Sequence, residues 1–183
     1  MVAAQQNRSS MTSLIDDEGN LLKTFPQISN EAVRFFQNLL GKVDSTVTRR
    51  SQDVLTDLLK DKLTPEEAEE LIKPVSIEEI KSTMFAIKGD KAPGPDGFSS
   101  HFFKAAWRII GEDVVAAVRH FFSSSFILPC FNATVVALIP KNQSPRSIKE
   151  YRPISCCSMI YKCITKIMTN RMKMFIPSLV GNN

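Results

Sequence analysis

The spacing of apolar positions changes period along the chain, and that change marks its elements. Residues 1–13 are polar and serine-rich, carry no periodic signal and read as loose. Leu14-Ile15 and Leu21-Leu22 are short extended apolar pieces on either side of Asp16-Asp17-Glu18-Gly19-Asn20. A Gly-Asn pair tolerates positive φ, so a small hairpin is expected there. From a cap at Ser29 or Asn30, the residues Ala32, Val33, Phe35, Phe36, Leu39 and Leu40 recur at helical spacing until Gly41. Residues 51–59 give a weaker helical pattern. Thr64-Pro65-Glu66-Glu67 and Ser76-Ile77-Glu78-Glu79 each read as a capping box, the hydroxyl accepting the N3 amide while the glutamate reaches back. Pro65 occupies the favoured first helical position. After Ser76, Ile77, Ile80, Met84 and Ile87 make one face, ended by Gly89. Two more helices are expected over 98–110 and 112–122, the second with Val114, Val115, Val118, Phe121 and Phe122 on one side and with Glu112 and Asp113 suited to its dipole.

Beyond residue 130 the period becomes that of strands. Thr134 to Ile139 is continuous and β-branched between Pro129 and Pro140, which predicts a short buried strand. Tyr151-Arg152-Pro153-Ile154-Ser155 is a second extended piece, because the proline keeps Arg152 out of the helical region. The polar loop 142–149 between them predicts an antiparallel hairpin. Residues 159–175 return to helical spacing, with Ile160, Ile164, Ile167, Met168 and Met172 inward and Lys162, Lys166, Arg171 and Lys173 outward. The fold class that follows is α+β, mostly helical, with a small antiparallel β-hairpin.

No uninterrupted apolar run exceeds five residues, against the ~20 that a membrane-spanning helix requires, and residues 1–8 lack a secretory apolar stretch. No membrane partner is expected, and the location expected is intracellular, in cytoplasm or nucleus, not secreted. The cysteines Cys130, Cys156, Cys157 and Cys163 fall on no zinc spacing and read as buried reduced thiols. The net charge of +4 conceals an asymmetry. Through Asp113 there are 14 Lys+Arg against 18 Asp+Glu, a balance of −4, whereas from Val114 onward nine cations face Glu150 alone, a balance of +8. A basic C-terminal third attracts polyanions, nucleic acid among them, although lysines on a solvated helix face give the same count.

Two segments could carry chemistry. Lys91-Ala92-Pro93-Gly94-Pro95-Asp96-Gly97-Phe98 alternates proline with glycine around one aspartate, which fixes a rigid turn and lets backbone approach a ligand closely. It is no Walker loop, since no Gly-Lys-Ser/Thr follows, and it could equally be a connector in which Asp96 caps the next helix. In the second segment, Lys141 near the end of one strand and Arg152 near the start of its partner would converge on one side of the hairpin. That arrangement suits a triphosphate, bound by lysine as a point charge and arginine as a fork.

These segments together with Phe102-Phe103-Lys104, Trp107, Asn132-Ala133-Thr134, Leu138-Ile139-Pro140-Lys141, Tyr151-Arg152-Pro153-Ile154-Ser155 and Tyr161-Lys162 resemble the reverse transcriptase of plant LINE-type (non-LTR) retrotransposons. The resembling blocks run in order over about residues 76–176, and residues 14–41 resemble more weakly the connector that precedes the polymerase in such proteins. The resemblance implies residues 1–75 as a connector and helical region and 76–183 as the fingers part of a right-hand polymerase. By similarity, Pro93, Gly94, Pro95, Asp96 and Gly97 with the helix after them guide the template, and Arg152 and Lys141 contact the phosphates of the incoming nucleotide. The implied partners are an RNA or DNA template and a deoxynucleoside triphosphate.

The sequence also departs from the family. An RNA-directed DNA polymerase needs two palm aspartates holding two Mg²⁺ ions, one activating the primer hydroxyl and one on the triphosphate. In the family they lie downstream of the fingers, on one strand and on a Tyr-Ala-Asp-Asp turn, and neither is found in this sequence, nor is the Gln-x-Ala-Phe segment. The expectation is a truncated reverse-transcriptase-like protein with the palm missing, no catalytic residue and no cofactor of its own, and inactive alone. The acidic pair Asp16-Asp17 lies on the wrong side of the fingers and reads as a solvated turn. The alternative function is a non-enzymatic nucleic-acid-binding module using the basic C-terminal third. Apolar surface on the helix after Met159 is expected to favour self-association.

Overall fold

A computed structural model describes residues 11–43, 46–48, 50–58 and 62–179. Most of the polar lead, Leu59 of the weaker helix, and the Gly181-Asn182-Asn183 end lie outside the described residues. The fold is α+β and mostly helical, with two small antiparallel two-stranded sheets among the described residues. It divides into two compact units, each drawn from two stretches of chain: residues within 1–49 and 136–154, and residues within 50–135 and 155–183.

The first unit begins with the expected hairpin, β1 (Leu14–Ile15) and β2 (Leu21–Leu22), with Leu14 opposite Leu22 and Ile15 opposite Leu21. Gly19 takes φ +88° in its turn. The Asp16 carboxylate closes that turn, accepting from the Glu18 N–H at 2.9 Å and the Asn20 N–H at 2.8 Å. Helix α1 (Phe25–Leu40) starts earlier than the expected cap at Ser29 or Asn30. The reason is local: the Gln27 side chain accepts from the Thr24 N–H at 3.1 Å and from its hydroxyl at 2.9 Å, so Thr24 ends the preceding extended backbone. Leu14, Ile28, Ile148 and Tyr151 form the buried cluster of this unit, with Ala32, Phe35, Phe36 and Leu138 against it.

The second unit is helical: α2 (Gln52–Leu58), α3 (Pro65–Ile72), α4 (Ile77–Ala86), α5 (Ser100–Ala105), α6 (Trp107–Ser124), α7 (Pro129–Asn132), α8 (Met159–Lys173) and α9 (Ile176–Leu179). Thr64 and Glu67 form the expected capping box. At Ser76 only half of the box exists. Its hydroxyl accepts from the Glu79 N–H at 3.0 Å, while the Glu79 carboxylate pairs with Arg171. Ile80 and Met84 are fully buried, but Ile77, at the first turn of α4, is exposed. The expected break at Gly111 is corrected to Ala106. Gly111 lies inside α6 because the Trp107 indole packs across it, where an added Cβ would sit 3.0 Å from the ring. Glu112 and Asp113 therefore lie within the helix and not at its start.

Helices α4, α6 and α8 share one core, which includes Ile80, Met84, Val114, Val118, Ile164 and Ile167. On α8 the apolar face runs Ile160, Ile164, Ile167 and then Arg171, at steps of three and four. Arg171, expected outward, is buried, and Met168 and Met172, expected inward, are exposed. Cys163 is buried and its thiol is pushed up to about 12 by desolvation, whereas Cys130 is exposed, against the expectation for all four cysteines. No helix among the described residues is long and apolar enough to cross a membrane.

Strands β3 (Thr134–Pro140) and β4 (Tyr151–Cys157) make the second sheet. The sequence predicts a buried strand over 134–139, yet β3 is largely exposed, since among the described residues only its Leu138 packs against a buried cluster.

Candidate nucleic-acid interface

In the first unit the outer half of the ribbon carries both cations expected at a triphosphate. The Lys141 N–H donates to the Glu150 carbonyl at 2.8 Å, a pairing whose register sets Ile139 opposite Arg152. Alternation then divides the faces. Leu138 and Tyr151 turn to the Leu14 cluster, and Ile139 and Arg152 are exposed on the other face, with Lys141 two positions beyond Ile139. The ribbon therefore places Arg152 and Lys141 on one side. Their side chains differ in freedom, however. The Lys141 ammonium donates to the Lys149 carbonyl at 2.6 Å and closes the ribbon end, whereas Arg152 has no side-chain hydrogen bond or ion pair among the described residues.

The acidic pair Asp16-Asp17 lies in the solvated β1–β2 turn, as expected, with protein donors on both carboxylates. Asp17 takes the Lys149 ammonium at 2.8 Å and the Arg34 guanidinium at 3.5 Å, and Lys149, with Arg34 beyond it, holds the Asp17 carboxyl below the usual carboxylate range. Asp16 is likewise lowered by its bonds from Asn20. Both carboxylates are thus committed to donors of the protein, so this pair does not fit the Mg²⁺ site of a polymerase. Among the described residues no group of three or more His, Cys, Asp or Glu could hold a metal ion.

In the second unit the Pro93–Gly97 loop lies directly on the junction between β4 and α8. A Cβ on Gly94 would come within 2.6 Å of the Ser158 nitrogen and 2.7 Å of the Cys157 carbonyl carbon and Ser158 Cα, so backbone meets backbone there. The Lys162 ammonium reaches from α8 to the Ala92 carbonyl at 2.6 Å, a second tether for the same loop. Gly97 takes φ +73°, and its N–H donates to the Gly94 carbonyl at 3.0 Å. Asp96 accepts from the Phe98 N–H at 3.1 Å and so fixes the turn, but the cap of the next helix is Ser99. Lys104 donates to the Ile87 carbonyl at 2.7 Å and the Ser100 hydroxyl to the Lys88 carbonyl at 3.1 Å, drawing residues 87–92 and helix α5 around the loop.

With this geometry in place, comparison with known proteins adds one relationship. The chain is 26% identical over 174 residues, 95% of its length, to an uncharacterized 149 kDa protein of transposon TX1 from Xenopus laevis. The chain is similar to a transposon protein. It spans 13% of that relative's length. No family model matches. The likeness supports a transposon-derived origin for the chain.

One ionic centre of the second unit has no signal in the local sequence pattern. Arg171 forks onto Glu79, Nε to Oε1 at 2.9 Å and Nη2 to Oε2 at 2.7 Å, while Nη1 donates to the Leu71 and Lys73 carbonyls at 3.0 and 2.7 Å. Its guanidinium lies 5.8 Å from the Phe122 ring centre. Arg171 is the largest cause of the lowered Glu79 pKa. One basic residue of α8 is thereby structural. Lys166 and Lys173 are exposed cations, and Lys162 is half-buried at the loop. Beside the ion pair a cleft of about 500 Å³ is lined by Ile72, Lys73, Arg119 and Phe122 among others.

Proposed function

We propose that this chain is part of a reverse-transcriptase-like polypeptide of the LINE-type, non-LTR class, akin to its plant members, and contributes fingers functions. In this reading residues 1–75 precede the polymerase and 76–183 belong to its fingers. Arg152, with Lys141 beside it, contacts nucleotide phosphates, and Pro93–Gly97 with the exposed edge of α8 tracks an RNA or DNA template. The observation that carries the reading is Arg152, an exposed arginine on the solvent face of the ribbon with no ion-pair partner among the described residues. A guanidinium so held has its whole fork available for phosphate oxygens. The similarity to a transposon protein across almost the whole chain supports the transposon-derived origin that this reading assumes. The chain spans 13% of that relative's length, and none of its own residues is given a catalytic step.

The test is titration of the chain with a deoxynucleoside triphosphate and with a short RNA at several salt concentrations. Arg152→Ala is expected to weaken triphosphate binding roughly ten-fold, the scale of removing one charge-assisted hydrogen bond, with the fold intact by circular dichroism. Lys166→Ala is expected to leave triphosphate binding unchanged and to reduce the salt slope for RNA by about one. Unchanged triphosphate affinity in Arg152→Ala, with RNA binding retained, favours the second reading, a nucleic-acid-binding module without a nucleotide site. The basic balance of +8 after residue 113 is the observation behind that reading.

A further inference from the structure

Phe98 just before α5 and Phe102 within its first turn stack on one another, ring centres 4.4 Å apart and planes inclined by 27°. They are not the core anchor of this segment. Phe103 is, at 7% exposure, whereas Phe98 and Phe102 remain 46% and 40% exposed. The Phe103 ring meets Phe102 edge-on, so the stack is buttressed on the Phe102 side. Phe98 has no second ring neighbour among the described residues and is the outer member of the pair. What sets the pair apart from the other exposed apolar side chains is that its two rings stack and adjoin a fixed loop, so they present flat ring surface to solvent.

The surroundings of the pair indicate what that surface takes. Lys88 and Lys91 are exposed in the chain leading to the pair, and Lys104 and Lys162 are tied to carbonyls of the same stretch, against Asp90 and Asp96. Four cations against two anions on the loop and on the side chains bonded to it, in the segment that leads to the exposed rings, match a polyanion that carries planar groups, which is the chemistry of a nucleic-acid strand with unpaired bases. We propose that Phe98 and Phe102 form a stacking platform for bases of a single-stranded nucleic acid, with the lysines of the loop on its phosphates. This deepens the template role proposed above and rests on it. Asp96 accepts from the Phe98 N–H at 3.1 Å and Phe103 is anchored in the core beside Phe102, so the backbone carrying both rings is fixed before any strand arrives.

The decisive measurement compares strands that differ only in their bases. Fluorescence anisotropy of the intact chain is recorded with labelled oligouridine and oligothymidine of about 12 nucleotides, a length within single-strand site sizes, and with an abasic strand of equal charge. The base-bearing strands are expected to bind about ten-fold tighter than the abasic one at the same salt. Phe98→Ala is expected to bring that ratio towards one without altering the salt slope, and Phe98→Trp to preserve it. Lys91→Ala is expected to weaken all strands alike and to lower the slope. Equal binding of base-bearing and abasic strands by the parent chain overturns the platform while leaving the template role standing, and this outcome does not depend on how any variant folds. Absence of binding to every strand overturns both. A preference confined to the RNA or to the DNA arm supports the platform and identifies which strand it takes.

Discussion

Arg171→Ala is expected to destabilise the second unit by about 3–5 kcal/mol, the scale for removing one member of a buried, hydrogen-bonded ion pair. Three losses coincide. The half-buried Glu79 carboxylate loses both donors of its fork and keeps only the more distant charge of Lys73. The carbonyls of Leu71 and Lys73, at the end of α3, lose their shared donor. The guanidinium no longer covers Phe122. Side-chain exposures of 10% for Arg171 and 27% for Glu79 mean that water compensates only in part. Urea unfolding of the parent, Arg171→Ala, Glu79→Gln and the double variant measures the coupling, and the double variant is expected to be less destabilised than the sum of the singles. Strict additivity would show that the fork contributes no pairwise energy. The pair also sets a pH dependence. Arginine keeps its charge throughout, while Glu79 titrates near 4.5 when unfolded and lower when paired. A lowered carboxylate pKa gives stabilisation that is complete above 4.5 and is lost as pH falls through the folded value. The stability difference between the parent and Glu79→Gln is therefore expected to narrow below pH 4.5.

The features legible in the sequence are those settled within a few residues. The β1–β2 turn, the Thr64 box and the period change at Thr134 each depend on neighbours no more than five positions away, and all three are found. The start of α1 escapes the apolar pattern although its signal is equally local. Gln27 three residues after Thr24 is the same box with glutamine in place of glutamate. The misreadings of larger consequence involve distant partners. Arg171 is read as a surface cation until Glu79 is placed against it, 92 positions earlier; Asp17 does lie in a solvated turn, but its partner Lys149, 132 positions later, has no local signal. Gly111 looks like a helix stop because the indole that fills the space over it is not visible in local pattern. For the candidate interface, residue type is sufficient to single out Arg152 and the Pro93–Gly97 loop. Which cations are already engaged is not legible: Lys141 and Lys162 both donate to backbone carbonyls. The compact units interleave along the chain, a level of organisation that a region boundary at residue 75 does not address.

Gly94→Ala is expected to destabilise by about 3 kcal/mol, the upper part of the range for inserting a methyl group into packed structure. Overpacking is often relieved when a neighbouring side chain rotates away, but here the atoms that the new Cβ would meet, at 2.6–2.7 Å, are the Ser158 nitrogen, Ser158 Cα and Cys157 carbonyl carbon. None of them can swing aside. Ser158 is also pinned, since it caps α8 through the Tyr161 N–H at 3.3 Å and donates its hydroxyl to the Phe131 carbonyl at 2.8 Å. The loop must therefore lift from the β4–α8 junction, and the Lys162 tether to Ala92 is drawn apart with it. Gly97→Ala supplies the contrast within the same loop. Its Cβ would meet nothing within 4 Å, so the substitution carries only the strain of a left-handed φ of +73°, about 1–2 kcal/mol. Gly97→Asn, a residue that tolerates this region, is expected to lose less than Gly97→Ala. Thermal unfolding of the three variants should rank Gly94→Ala lowest, then Gly97→Ala, then Gly97→Asn. Equal stability of Gly94→Ala and the parent would mean that the loop does not lie on Ser158 at all. If the loop also positions a template strand, Gly94→Ala is expected to weaken RNA binding below the melting range although it removes no charge, because the lysines around the loop then no longer share one fixed surface.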